Sequence, residues 1–339
     1  MSRRVKYLAV LGGLVAVGML GMLATLSPFA SEGDPDLEAE VAVTLQDETI
    51  AESSGLVVRG DRLYTVNDSG DGPHVYAVDL ATGETTGVTT FDDEEPEDLE
   101  AIARGRGQSL WVGDTGDNRR ARGSITVHRL VPPPGGGTVR AETYDLAYPD
   151  GPHDAETLLV HPRTERVLVV TKRPFLGGVV YQAPEELRAG ELHQLEPVGA
   201  VSGYVTDGTF LPDGRHVLVR TSGGAAVYTY PGFEKVAEFE LPVQDQGEGI
   251  AIGDDGRVYL SSEGELSDVL VMDLPPLDPP REAADPSSAE PRDDSGPAPD
   301  EGNGAGLGRP RGYVVAAVLG SAVVGLLVRA SRRRSRRRR

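Results

Sequence analysis

The chain has 339 residues, with 53 acidic against 33 basic side chains and a formal net charge of −20. Three of the basic groups fall in residues 1–6 and eight in residues 329–339, which leaves 22 against 53 acids between them. That acidic middle repels phosphate backbones and anionic lipid, which argues against nucleic-acid binding, and the lack of cysteine excludes disulfide staples, thiol catalysis and thiolate metal sites.

In chain order, residues 1–30 come first. A basic start is followed by an uncharged run from Tyr7 to Leu26, the arrangement of an export signal. The exit after Ala30 has Pro28 three residues before the bond instead of a small residue, and the run is also long enough to span a bilayer. Both a cleaved signal peptide and a retained N-terminal anchor are therefore compatible with it.

Residues 38–275 contain an internal repeat. Gly (43) and Pro (25) are abundant and no stretch keeps a long 3.6-residue apolar period, so the expected fold class is all-β. Five segments align: SGLVV from Ser54, EAIAR from Glu100, ETLLV from Glu156, DGTFL from Asp207 and EGIAI from Glu248. A turn and two further apolar runs follow each of them, and a fourth run follows four of them. Four strands per unit of roughly 40 to 50 residues is the spacing of β-propeller blades, so about five four-stranded blades are expected. The last unit lacks its fourth strand, and Val41 to Leu45 is expected to supply it by pairing with Val269 to Asp273, closing the ring. A sixth blade would have to hide in the interval from 100 to 156, where VPPPGGGTVR provides length but no strands.

Residues 278–311 are too polar and too rich in Pro and Gly to bury a core, and read as a disordered acidic stalk. Tyr313 to Val328 is uncharged and abuts an Arg-rich tail, residues 329–339. That is a stop-transfer pattern, with the tail in the cytoplasm by the positive-inside bias. The expected localisation is the cell membrane, with a monomeric propeller on the extracytoplasmic side.

Four of the five repeats begin on a carboxylate, at Glu100, Glu156, Asp207 and Glu248, which places like charges at one end of the central channel. Such a set raises its own pKa values or recruits a cation, and oxygen donors suit Ca²⁺. With them stand Asp114, Asp117, Asn118 and Glu263 as candidate metal ligands. Asn67, Asp68 and Asp71, in a turn that resembles the later GDTGDN (113–118), are candidate ligand-binding residues, as are Lys172 and Arg173. A turn of this composition also forms for its own sake, its Asp side chains binding backbone N–H groups, and Lys172 is equally placed to pair with Glu156. The six histidines show no metal-ligand spacing, and no G-x-S-x-G elbow occurs. Catalytic residues are therefore not assigned, with Glu100 and Glu248 as the candidates.

The combination ESSGL (52–56), NDSGD (67–71), DLEAI (98–102), WVGDTGDN (111–118), DAETL (154–158) and GEGIA (247–251) resembles a group of secreted bacterial β-propellers that has no assigned activity. More distantly it resembles phytase-like, gluconolactonase-like and NHL-type propellers. The resemblance implies acids at the channel mouth that bind Ca²⁺, although five blades and the lack of a dense basic cluster depart from the phytase-like pattern. The expected function is a membrane-anchored module binding a small molecule or a cell-envelope protein through a Ca²⁺-loaded acidic mouth. The alternative is a Ca²⁺-dependent hydrolase of phosphoesters or lactones.

Overall fold

A computed structural model describes residues 38–68, 71–91, 96–173 and 176–277. The terminal segments expected to be a signal or anchor, a stalk, a membrane span and a basic tail lie outside the described residues. Within the described residues there is no helix long and apolar enough to cross a membrane.

The described residues form a β-propeller of five blades. The chain enters through β1 (Glu40–Thr44). It then builds blade one from β2 (Ser53–Arg59), β3 (Arg62–Asn67), β4 (His74–Asp79) and β5 (Thr85–Phe91). Blade two is β6 (Leu99–Arg104), β7 (Leu110–Asp114), β8 (Ile125–Leu130) and, after the short β9 (Gly137–Val139), β10 (Glu142–Ala147). Blade three is β11 (Ala155–Val160), β12 (Val167–Thr171), β13 (Gly178–Gln182) and, after β14 (Leu192–Gln194), β15 (Glu196–Val201). Blade four is β16 (Val205–Phe210), β17 (His216–Thr221), β18 (Gly224–Thr229) and β19 (Lys235–Phe239). Blade five is β20 (Gly247–Ile252), β21 (Val258–Ser262) and β22 (Asp268–Met272).

Blade five is completed by β1, which pairs antiparallel with β22 from Glu40 opposite Val271 to Thr44 opposite Asp268. The ring thus closes as the internal repeat requires, and Val43 and Leu45 are buried in the same apolar cluster as Val269 and Val271. The inner strands are buried along most of their length because both faces of a blade pack on neighbours. Leu158 and Leu159, adjacent on β11, show this directly: one packs toward Trp111 and Ile125 of blade two, the other toward Val205 and Val217 of blade four.

One expectation is corrected. The VPPPGGGTVR interval does yield a strand, β9, which lies parallel on the outer edge of β5, and β14 does the same on β10. They are fifth strands of blades one and two, each three residues long, and they cap an edge of the preceding blade. Neither shows apolar alternation, because three residues bury no more than one side chain each, Val139 on β9 and His193 on β14.

Candidate functional site

The inner strands β2, β6, β11, β16 and β20 all begin at one end of the channel, and each carries a β-bulge there. On β6, Leu99 pairs with Asp114 and Ala101 with Gly113, leaving Glu100 without a partner residue. On β11, Ala155 pairs with Thr171 and Thr157 with Val170, leaving Glu156. On β20 the irregularity holds Glu248 and Gly249. An extra residue in a strand re-aims its own side chain. Here it marks the glutamates of blades two, three and five.

In blades one and four, a hydroxyl takes the corresponding position. Ser54 Oγ donates to the Glu100 carbonyl at 2.7 Å and Thr206 Oγ1 to the Glu248 carbonyl at 3.0 Å, so each ties its blade to the bulge of the next. The residue left over on β16 is Thr206, since Val205 pairs with Thr221 and Asp207 with Arg220. Asp207 therefore stands one position further along than its alignment with the glutamates implies. Its side chain is 0 % exposed and its Oδ2 accepts the Ile250 N–H at 2.8 Å. Burial pushes its pKa up to about 8 against the N–H groups of Ile250, Gly208 and Leu56 that favour the anion. It is sealed among backbone N–H groups of β2, β16 and β20 and belongs to neither carboxylate group at the mouth.

Two carboxylate triads form at the mouth. Asp68, Asp98 and Glu100 make one, and Glu100, Asp154 and Glu156 the other, with one oxygen from each residue within 4.8 Å of the others. Glu100 belongs to both. It is 2 % exposed, and no hydrogen bond or ion pair among the described residues engages its carboxylate. Burial, with Glu156, Asp68 and Asp98 nearby, raises its pKa well above the ordinary value. Burial also raises Asp154, opposed by the Asp117 N–H, which its Oδ1 accepts at 2.8 Å.

The cation in this set is Lys172, whose Nζ lies 2.7 Å from Glu156 Oε1 and 5.1 Å from the centre of the Tyr204 ring. Burial pushes Glu156 up to about 8 although Lys172 pulls it down. Burial likewise works against the ammonium, but Glu156 outweighs it and holds Lys172 protonated. Glu248 is pushed up to about 6, chiefly by burial, and its Oε2 is buried without a hydrogen-bond partner. Glu263, on the next loop, is raised to about 7 by burial and then by Glu248.

The remaining candidates do structural work. Asp114 accepts the N–H groups of Glu97 and Asp98 at 3.2 and 2.9 Å and pairs with Arg122 at 2.7 Å. Asp117 accepts from the backbone of Ala121 and Arg122. Asn67 donates to the Thr49 carbonyl and to Asp71, while Tyr76 donates its hydroxyl to Asp71 at 2.5 Å. These are the turn-building roles open to Asp-rich turns. Asn118 is exposed and belongs to neither triad. Arg173 is half-buried on the loop after Lys172 and makes no side-chain hydrogen bond among the described residues.

Asp98 and Asp154 are read from the sequence as acids adjoining the strand-start carboxylates, along with Glu52, but not as ligands, and Tyr204 is not singled out; one signal marks all three. They sit two residues before Glu100, Glu156 and Thr206, so the D-x-E spacing of blades two and three brings both acids to the same mouth. In blade four the acid is replaced by the aromatic ring under Lys172.

No protein-family model matches the chain, and no curated protein matches it. Among solved structures, it is similar to a gluconolactonase from Xanthomonas campestris, with 15 % identity and a TM-score of 0.43 over 66 % of this chain and 72 % of that one. It is similar also to a glucose dehydrogenase, with 15 % identity and a TM-score of 0.39 over 66 % and 82 % of the two chains. At that identity, nothing about activity follows.

Proposed function

We propose that the chain is a membrane-tethered, extracytoplasmic binding module that holds Ca²⁺ at the carboxylate mouth and captures a small molecule or a cell-envelope protein there. The observation that carries this reading is Glu100, a buried carboxylate that has no hydrogen-bond or ion-pair partner among the described residues and is shared by two oxygen-only triads. A buried anion in that state is costly unless it is protonated or paired, and hard oxygen donors without nitrogen or sulfur suit Ca²⁺. Glu100, Asp154 and Glu156, or Glu100 with Asp68 and Asp98, would hold the ion. Leu176, Tyr204, Val243 and Leu266 are exposed around the same mouth, Val243 by 98 %. This gives a ligand apolar contacts beside the charged centre.

Calorimetric titration of the purified full chain with Ca²⁺ tests the reading. Heat of binding and a rise in melting temperature at millimolar Ca²⁺ are expected, both lost in Glu100→Gln. No heat and no change in melting temperature would remove the metal and the reading with it.

A second reading, a Ca²⁺-assisted hydrolase, is favoured by Glu248. Its pKa of about 6 suits a general base near neutral pH, and a bound cation would lower the pKa of coordinated water. A screen of phosphomonoesters and lactones discriminates the two. Turnover abolished by chelator and by Glu248→Gln would establish the hydrolase, whereas a folded, Ca²⁺-binding and inactive protein would leave the binding module.

A further inference from the structure

A second opening lies at the other end of the channel. A cavity of about 510 Å³ is lined by residues of all five inner strands and by the hairpins that follow four of them, a volume typical of pockets for small organic ligands. None of the triad carboxylates touches it. Asp207 stands between the two, and the backbone is tight at that height: a Cβ on Gly249 would lie 2.8 Å from Leu56 Cβ and 3.0 Å from the Gly55 carbonyl carbon.

Charge reverses sign from one end to the other. The five hairpins here read RGDR (59–62), RGRGQS (104–109), HPRTER (161–166), LPDGRH (211–216) and IGDDGR (252–257), with eight arginines against five acids in a chain of net −20. Asp254 neutralises Arg104 and accepts the Gly60 N–H at 2.9 Å. The exposed guanidiniums of Arg106 and Arg163 have no partner among the described residues. Arg106 lines the cavity itself, and its inner wall includes Val160, Phe210 and Ile252.

We propose that this mouth binds a small organic anion with an apolar body: the body seats against Val160, Phe210 and Ile252, and the oxyanion meets Arg106 with Arg104 beside it. A guanidinium presents donors in the planar fork that matches an oxyanion, and an apolar wall with a few convergent polar groups is the general form of such a site. The site is independent of the cation-binding mouth.

The test is calorimetric titration of the full chain with 2-naphthoate, and with the neutral 2-naphthamide as a body of the same shape. Naphthoate should bind at least tenfold more tightly than the amide, and the difference should shrink as KCl is raised. The double substitution Arg104→Gln/Arg106→Gln should weaken naphthoate at least tenfold at an unchanged melting temperature, since both side chains are exposed. Glu100→Gln should leave it unchanged. Equal affinity for acid and amide, no binding at all, an insensitive double variant, or loss of binding in Glu100→Gln would each overturn the proposal. The last would place the ligand at the opposite mouth.

Discussion

Where the inner strands begin, Glu100, Asp154 and Glu156 are buried within 4.8 Å of one another around a single ammonium. Where the same strands finish, Arg104 and Asp254 meet with side chains 40 % and 50 % exposed. Charge density is high at both ends, but water screens only the second. At the first mouth, burial lifts Glu100, Glu156, Glu248 and Glu263 toward neutrality and makes each partner matter. At the second, water screens the Arg104–Asp254 pair, and Arg106 stands exposed toward an external anion. One set of five strands therefore produces a site that must be filled or protonated and another that stands open.

Both mouths exist only while the ring is closed, so the largest effect comes from opening it. Deleting residues 38–47 removes β1, leaves β22 an unpaired edge and strips Val43 and Leu45 from the core. Scanning calorimetry should show a loss of melting temperature of more than about 10 °C, as several kcal/mol of buried apolar contact are withdrawn. Gel filtration should show aggregation through the exposed edge. A truncated chain that melts within a degree or two of the parent and remains monomeric would mean that β1 does not hold the ring.

Next in size is Lys172→Met, which keeps the packing of the stem and removes the charge. Breaking a buried pair by removing one partner costs about 3 kcal/mol. The remaining Glu156 can take up a proton, so the cost should be larger at pH 8 than at pH 5. The corresponding loss at the open mouth, Arg104→Gln, should be within about 0.5 kcal/mol. Equal costs in urea unfolding of the two variants would end the contrast between a buried and a screened mouth.

The blade repeat was legible because period-two and continuous apolar runs recur between Gly-rich and Asp-rich turns, and because EVAVTL at the start imitates the outer strand of a blade. The carboxylate mouth was legible in part. Glu100, Glu156 and Glu248 are separated by blade-length intervals, and the bulges deliver them to one end. Asp207 looked like their fourth member because sequence alignment cannot place a bulge, and a slip of one residue along a strand exchanges its direction. β9 and β14 were not legible, since three residues with one inward side chain each, Val139 and His193, leave no periodic pattern. The cavity at the opposite end gave no motif at all. It arises from eight arginines and five acids spread over five hairpins that look, in sequence, like ordinary turn composition.

The pH dependence of stability separates the mouths further. Burial raises the folded-state pKa of Glu248 to about 6, of Glu263 to about 7 and of Asp207 to about 8, all above their unfolded values. Their contribution is full below about pH 4. It declines as pH rises, because the unfolded chain releases these protons first and the folded chain holds them until about pH 8. In chelator, the melting temperature should fall between pH 5 and pH 8. With Ca²⁺ present the fall should be smaller, since a cation at the triads replaces the protons, and its binding should tighten as pH rises. A melting temperature that rises over this window in chelator would show that the acids are paired and anionic without a cation.

The smallest effect belongs to Asp254→Asn at the open mouth. Arg104, with burial opposing, holds the Asp254 carboxyl below its usual pKa, helped by the Gly60 N–H. The lowered value implies stability that is present above about pH 4 and lost as pH falls through the folded pKa, the reverse of the other mouth. Half of this side chain faces water, so the pair is screened, and the amide that replaces it retains an oxygen for the Gly60 N–H. The expected loss is within about 0.5 kcal/mol, and it should vanish in 1 M KCl, where charges are screened over roughly 3 Å. The same substitution leaves Arg104 unneutralised, so 2-naphthoate should bind a few-fold more tightly. A stability loss above about 2 kcal/mol that persists in high salt would show that Asp254 is a buried structural anchor, and that the two mouths differ in the sign of their charge but not in its exposure.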